Sequence, residues 1–319
     1  MDLLFLSSDP ISLPSLEALA GGKVADTRVV AVITNPDRRS GRGKKVQRNA
    51  VAAKADELGL PVHQTAKLTL EEMQGLPHFD AALVFAFGQI LPRSILSLRP
   101  GLFLNVHASP LPFLRGPSPI ETAIAEGWSS TEISLMRMVQ RMDAGDIAFR
   151  QKTTIDPSET GPSLREKIAL QSATLVERVP DAVALESAWD LQDDSSATWC
   201  RKISKKDGRL DFSLPAQTLA NQSRAFEGWP GSTILIGGET MKVADLSMTE
   251  GSGHPGEILS ADERLEVATG EGALSIGMIQ RPSRKMAPFA EFQRATPVQI
   301  GSLLSFPLSQ PLVRSKFRL

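Results

Sequence analysis

The chain has 319 residues, 41% hydrophobic and 22% charged, which excludes the disordered and fibrous classes and is long enough to expect two domains, each with its own core. A single cysteine, Cys200, excludes an internal disulfide and a multi-cysteine zinc site, and fits a reducing cytoplasm. The formal net charge of −1 hides a tilt: residues 1–199 hold 20 Lys/Arg against 24 Asp/Glu, residues 200–319 hold 15 against 12.

Residues 2–6 already read as a buried strand, leaving no room for a cationic targeting segment ahead of the fold, and no apolar run reaches the roughly 20 residues of a membrane span. Through residue 190, short apolar runs alternate with helix-period segments, the pattern of a doubly wound, mostly parallel α/β sheet. Strands are expected at 3–6, 29–34, 81–87, 102–106, 133–138 and 147–153. Helices are expected at 15–20, 49–58, 118–126 and 163–179, with Gly21, Gly59 and Gly127 as C-terminal stops. The first strand-to-helix turn, Ser7-Ser8-Asp9-Pro10, has no glycine, and the chain carries no Walker-type loop, so no nucleotide cofactor is expected.

Between Asp37 and Asp56 no acidic residue intervenes, whereas Arg38, Arg39, Arg42, Lys44, Lys45, Arg48 and Lys54 are basic. Such a loop seeks phosphate, and its Gly41-x-Gly43 frame permits close approach to a nucleic-acid backbone. The strand at 102–106 turns polar at its carboxyl end, where open α/β sheets bind ligands. Asn105 and His107 are two residues apart and so share a face. An amide donor and an imidazole placed there can hold an oxyanion and shuttle a proton, as acyl transfer demands. Asp143, in the turn Met142-Asp143-Ala144-Gly145-Asp146, can reach the imidazole, orient it and keep it protonated. No G-x-S-x-G motif accompanies them, which disfavours an acyl-enzyme and leaves direct attack by an amine on a bound acyl donor. His63, His78 and His254 lack ligand spacing, so no metal is expected.

Periodicity fades at 182–206, and the polar run at 190–196 reads as an exposed connection. The expected division is a catalytic domain at 1–189, a linker at 190–206 and a second domain at 207–319. After a helix at 216–226, short alternating strands with turns at Gly237-Gly238, 251–256 and 270–272 read as a small β-barrel. Trp189, Trp199 and Trp229 read as packing residues.

The run Asn105-Val106-His107-Ala108-Ser109-Pro110-Leu111-Pro112, followed by Arg115-Gly116, Pro119-Ile120 and Asp143-Ala144-Gly145-Asp146, resembles the signature of the folate-dependent formyltransferases. Phe85-Ala86-Phe87-Gly88-Gln89-Ile90-Leu91-Pro92 resembles their folate-binding loop. Thr34-Asn35-Pro36-Asp37-Arg38 with Gly41-Arg42-Gly43-Lys44-Lys45 extends the likeness to the methionyl-tRNA formyltransferase family. So do Thr198-Trp199, Lys202-Ile203-Ser204-Lys205, Asp211-Phe212, Arg224-Ala225-Phe226 and Trp229-Pro230, and the likeness spans essentially the whole chain.

The resemblance implies a Rossmann-like formyltransferase domain followed by an OB-like tRNA-binding barrel. It implies 10-formyltetrahydrofolate as donor, no metal, and the α-amine of methionine on initiator methionyl-tRNA as acceptor, in a monomer serving translation initiation. Asn105 and protonated His107 would hold the oxyanion while Asp143 keeps His107 charged. Phe87, Gly88, Ile90, Leu91, Ser109, Pro110, Leu111 and Pro112 would contact the folate, and Arg38, Arg42, Lys44 and Lys45 the tRNA. Departures from the family pattern fall at Ser7-Ser8-Asp9-Pro10 in place of glycine-threonine-proline, Phe87 for tyrosine, Pro110 for leucine, and Arg141-Met142 for glycine-leucine. The alternatives are a formyltransferase acting on an amino sugar nucleotide, against which the basic loop argues, and a non-catalytic RNA-binding protein, against which the intact triad argues.

Overall fold

Strand β1 (Asp2–Leu6) is buried over its last four residues, as an apolar run in a sheet covered on both faces must be. The computed structural model describes residues 1–22, 24, 26–40, 45–185 and 188–315. A single 3-10 turn leads into α1 (Leu13–Ala20), followed by β2 (Arg28–Thr34) and a short hairpin of β3 (Arg38–Ser40) and β4 (Lys45–Gln47). Next come α2 (Ala50–Glu57), β5 (Val62–Gln64), α3 (Leu70–Gln74), β6 (Ala81–Phe85), α4 (Arg93–Leu96) and β7 (Phe103–His107). The first unit closes with α5 (Pro119–Ala125), β8 (Ser130–Arg137), β9 (Ile147–Thr154), α6 (Gly161–Leu175) and α7 (Val179–Ala184).

Apart from the β3–β4 hairpin, these strands form one seven-stranded sheet ordered β5-β2-β1-β6-β7-β8-β9. Pairings from β5 to β7 are parallel, whereas β7–β8 and β8–β9 are antiparallel. The doubly wound, mostly parallel layout therefore holds, with a reversed edge where β8 and β9 are joined by a turn short enough for antiparallel neighbours. Alternation along β1 feeds two cores: Leu3 and Phe5 pack with Leu104 and Val106 on one face, Leu4 and Leu6 with Phe103 on the other. Asn105 and His107 alternate with Leu104 and Val106, which turns both toward the Phe103 face at the carboxyl end of β7.

The remaining chain runs through β10 (Trp199–Cys200), α8 (Ala216–Ala225), β11 (Ser232–Ile236), β12 (Glu239–Thr249), β13 (Ile258–Ala261), β14 (Leu265–Ala268) and β15 (Ala273–Gln280). It ends with β16 (Ala287–Pro288), α9 (Phe289–Ala295) and β17 (Val313–Arg314). Strands β11-β12-β15-β14-β13 pair antiparallel around a separate apolar core that includes Phe212, Leu219, Ile276 and Phe289, an OB-like sheet. Gly237 and Gly238, with φ of 58° and 82°, make the two-residue turn between β11 and β12, a conformation that favours glycine at both positions.

The two sheets are tied together. Helix α8 packs against α5, and Arg224 donates to the Glu159 carbonyl at 2.7 Å. The polar run at 190–196 is exposed as expected except at Gln192, but Ala197, Cys200 and Ile203 beyond it are buried. Strand β10 pairs with β17, and Leu312 enters the core of the first sheet, so the end of the described chain folds back onto the beginning. Trp189 stacks on Arg137 and Trp199 lies beside Arg115, but Trp229 is 60% exposed, so the packing expectation fails there.

Candidate active site

Asn105 pairs in register with Val84 of β6 and Met136 of β8 and is half-buried. Among the described residues its carboxamide has no hydrogen-bond partner. A half-buried amide without a partner is available to a ligand, because burial without one is costly.

His107 is buried, and its Nε2 lies 3.0 Å from the Leu114 carbonyl. A carbonyl only accepts, so Nε2 carries the hydrogen and Nδ1 is the nitrogen left to react. Nδ1 sits 3.9 Å from Asp143 Oδ2, too far for a hydrogen bond but close enough for the carboxylate to attract an imidazolium there.

Asp143 has φ of 49°, a left-handed conformation uncommon outside glycine. Its Oδ2 accepts from the Gly116 backbone N–H at 2.8 Å. Gly116 itself has φ of 115°, and a Cβ there would fall 2.3 Å from the Cys200 carbonyl oxygen, so only glycine fits. Gly145 is equally confined, since a Cβ would meet the Arg137 carbonyl at 1.9 Å.

Arg115, only 1% exposed, connects to this turn through Gln192 and Asp194. Its Nε and Nη2 donate to Gln192 Oε1 at 3.0 and 2.7 Å, and its Nη1 pairs with Asp194 at 2.9 Å. A buried guanidinium needs such partners to offset its desolvation. Hydrogen bonds from Arg115 and Arg141 hold the Asp194 carboxyl below the ordinary carboxylate range. Arg115 N donates to the Thr198 carbonyl and Cys200 N to the Arg115 carbonyl, which lays the segment after Asp194 along the 112–116 loop. Burial pushes the Cys200 thiol up to about 12.

The expected folate residues separate into two groups. Ile90 is 84% exposed, and Pro110 and Pro112 are half-buried, the latter after a cis peptide. Phe87 and Leu91 are buried in the core beside Phe103, and Leu111 packs with Met136 and Ile147. Gly88, with φ of 75°, turns the chain, and Asn35 donates to the Phe87 carbonyl at 3.3 Å, which roots the β3–β4 hairpin beside this loop. Ser109 is fully buried, its hydroxyl donating to the Phe113 carbonyl at 2.7 Å.

The basic loop is smaller in free charge than its sequence implies. Arg48 is paired with Asp56 and Asp37, and Lys54 with Glu17 and Glu57, which removes both from the phosphate-seeking set. Arg38 is exposed on β3. Arg42 and Lys44, and the side chain of Lys45, lie outside the described residues. The altered first turn is internally satisfied: Asp9 caps the 3-10 turn by accepting from Ile11 N at 3.0 Å and pairs with Arg165, while Ser12 donates to Ser7 at 2.6 Å.

The formyl transferase family model matches residues 5–179, and the model for the formyl transferase C-terminal domain matches 202–297. The methionyl-tRNA formyltransferase of Citrifermentans bemidjiense is 35% identical over 95% of this chain and 96% of its own length. That of Ectopseudomonas mendocina is 36% identical over 91% and 93%. Among solved structures, an N-formyltransferase from Helicobacter canadensis, in complex with folinic acid and dTDP-3-aminofucose, aligns with a TM-score of 0.65 at 18% identity, over 88% of this chain and 99% of its own. The methionyl-tRNA formyltransferase from Clostridium thermocellum aligns with a TM-score of 0.54 at 16% identity, over 78% and 94%. These structural likenesses show the fold, and the sequence matches over nearly the full length show the family: the chain belongs to the formyl transferases, among the methionyl-tRNA formyltransferases.

Proposed function

We propose that this protein transfers the formyl group of 10-formyltetrahydrofolate to the α-amine of methionine on initiator methionyl-tRNA, giving the formylmethionyl-tRNA of translation initiation. The observation that carries the chemistry is the Asn105 carboxamide, without a hydrogen-bond partner among the described residues and on the same strand face as His107, with Asp143 3.9 Å from the imidazole Nδ1. The methionine amine attacks the formyl carbon, and the carbonyl π pair moves onto oxygen. The Asn105 N–H and protonated His107 stabilise that oxyanion. Collapse breaks the bond to N10 of the folate, which leaves with a proton as tetrahydrofolate, while the attacking nitrogen gives up its own proton with help from Asp143.

Phe87, Gly88, Ile90, Leu91, Ser109, Pro110, Leu111 and Pro112 form or underlie the folate contact surface in this reading. Exposed Ile90 and the half-buried prolines touch the donor, and the buried residues hold their backbone in place. Arg38, Arg42, Lys44 and Lys45 engage the tRNA near its acceptor end. Residues 1–189 act as the catalytic domain, 190–206 as a linker and 207–319 as an OB-like domain making electrostatic, sequence-tolerant tRNA contact. The protein works as a monomer in the cytoplasm, and no helix among the described residues is long and apolar enough to cross a membrane.

The test is transfer from formyl-labelled 10-formyltetrahydrofolate to charged initiator tRNA, with charged elongator tRNA and a dTDP-amino sugar as rival acceptors. Label on the initiator tRNA supports the reading. Label only on the sugar nucleotide, or on no acceptor, refutes it.

A further inference from the structure

We propose that Gln192, from the segment joining the two sheets, is a positioning residue for Asp143; the proposal rests on the reading of Asp143 as part of the catalytic group. A carboxamide has two N–H donors and two acceptor lone pairs, and Gln192 uses all four. Its Nε2 donates to the Asp143 carbonyl at 2.9 Å and to the Gly145 carbonyl at 2.6 Å, while its Oε1 accepts from two nitrogens of Arg115 at 3.0 and 2.7 Å.

The bond to the Asp143 carbonyl fixes the peptide that follows Asp143, and with it the direction of the Cα–Cβ bond. The Gly116 N–H fixes the other end of the same side chain. The double anchorage also holds Asp143 in the left-handed region, φ 49°, which an aspartate adopts only at an energetic cost. The turn is also pressed against β8 at Gly145, whose carbonyl Gln192 holds as well. Asp194, two residues on, pairs with both Arg115 and Arg141, and so grips the turn from the residue preceding Met142. The joining segment is thus a wall of the reaction centre: loosening it lets the carboxylate drift from its 3.9 Å approach to His107. A displacement of about 1 Å at a reacting group costs up to about 100-fold in rate.

Gln192→Glu separates the two halves of this arrangement, because a carboxylate still accepts from Arg115 but has no donors for the Asp143 and Gly145 carbonyls. Single-turnover formyl transfer should fall on the order of 10-fold to 100-fold, with KM for donor and acceptor changed by less than about threefold. In an Asp143→Asn background the same change should cost less than about threefold, since a residue acting through Asp143 has nothing further to lose. Equal losses in both backgrounds overturn the proposal.

The 15N imidazole signals of His107 give a second readout that needs no turnover. In Gln192→Glu they should move toward those of Asp143→Asn, and unchanged signals likewise overturn the proposal. Should Gln192→Glu fail to fold, Gln192→Met carries both comparisons. Absence of transfer by the unaltered protein would count against the proposed function, while the imidazole spectra would still decide the role of Gln192.

Discussion

Gly116→Ala perturbs the site through one backbone atom. The new Cβ would lie 2.3 Å from the Cys200 carbonyl oxygen, which is main chain in the core and cannot swing aside, and the φ of 115° strains any side chain. Backbone strain of this kind costs on the order of 1–3 kcal/mol. Relieving it moves the Gly116 N–H away from Asp143 Oδ2, a 2.8 Å bond to a carboxylate of a type worth about 1.5–3 kcal/mol. The two together amount to on the order of 4 kcal/mol of stability. At roughly 2–4 °C per kcal/mol, the thermal midpoint should fall by roughly 10 °C. Turnover should drop about 10-fold or more, because about 1.4 kcal/mol of lost positioning is one decade in rate. Differential scanning calorimetry and formyl-transfer kinetics on the same preparation measure both effects. A Gly116→Ala protein with an unchanged midpoint and full turnover would refute the claim that this glycine is required by the approach of Cys200 and anchors Asp143.

Asn105→Ala should lower turnover on the order of 100-fold to 1,000-fold as an oxyanion donor is lost. It should leave the thermal midpoint nearly unchanged, because the carboxamide has no hydrogen-bond partner among the described residues; near-normal turnover would remove Asn105 from the mechanism. Arg42→Ala should weaken tRNA binding and reduce its log–log salt slope by about one unit, and unchanged affinity in filter-binding titrations would make the loop a solvated one. Cys200, buried and with its thiol raised to about 12, should resist iodoacetamide at neutral pH in the native protein and react fully in denaturant. Rapid native alkylation, followed by mass spectrometry, would mean that the core around β10 opens readily.

The parts of the fold legible in the sequence were those with local periodicity. Alternation along β1 and β7 is a two-residue signal, so the strand positions and the shared face of Asn105 and His107 followed from spacing alone. The reversed pairing of β8 and β9 carries no such signal, because the same apolar runs suit either direction. Short elements such as β5, α3 and α4, and the β3–β4 hairpin, fall below the length at which a period can be recognised.

Within the site, Asp143 was readable from its motif, whereas the partners that hold it were not. Gln192 lies in a polar run where a glutamine looks like solvent-facing filler, and its bonding to Arg115 depends on chain 77 residues away. The charge of the basic loop was overstated because the carboxylates that neutralise Arg48 and Lys54 include Glu17, far outside the run. The return of Leu312 to the first core is likewise a long-range event that no window of sequence contains.

The central claim is that His107, poised by Leu114 and Asp143, performs formyl transfer rather than merely binding the folate. Its most direct test is the single-turnover rate of transfer from 10-formyltetrahydrofolate to initiator methionyl-tRNA by His107→Ala, measured beside folate affinity. The account predicts that transfer is crippled while folate binds nearly as tightly as to the unaltered protein. Transfer at the unaltered rate, or loss of folate binding in step with loss of transfer, would contradict it.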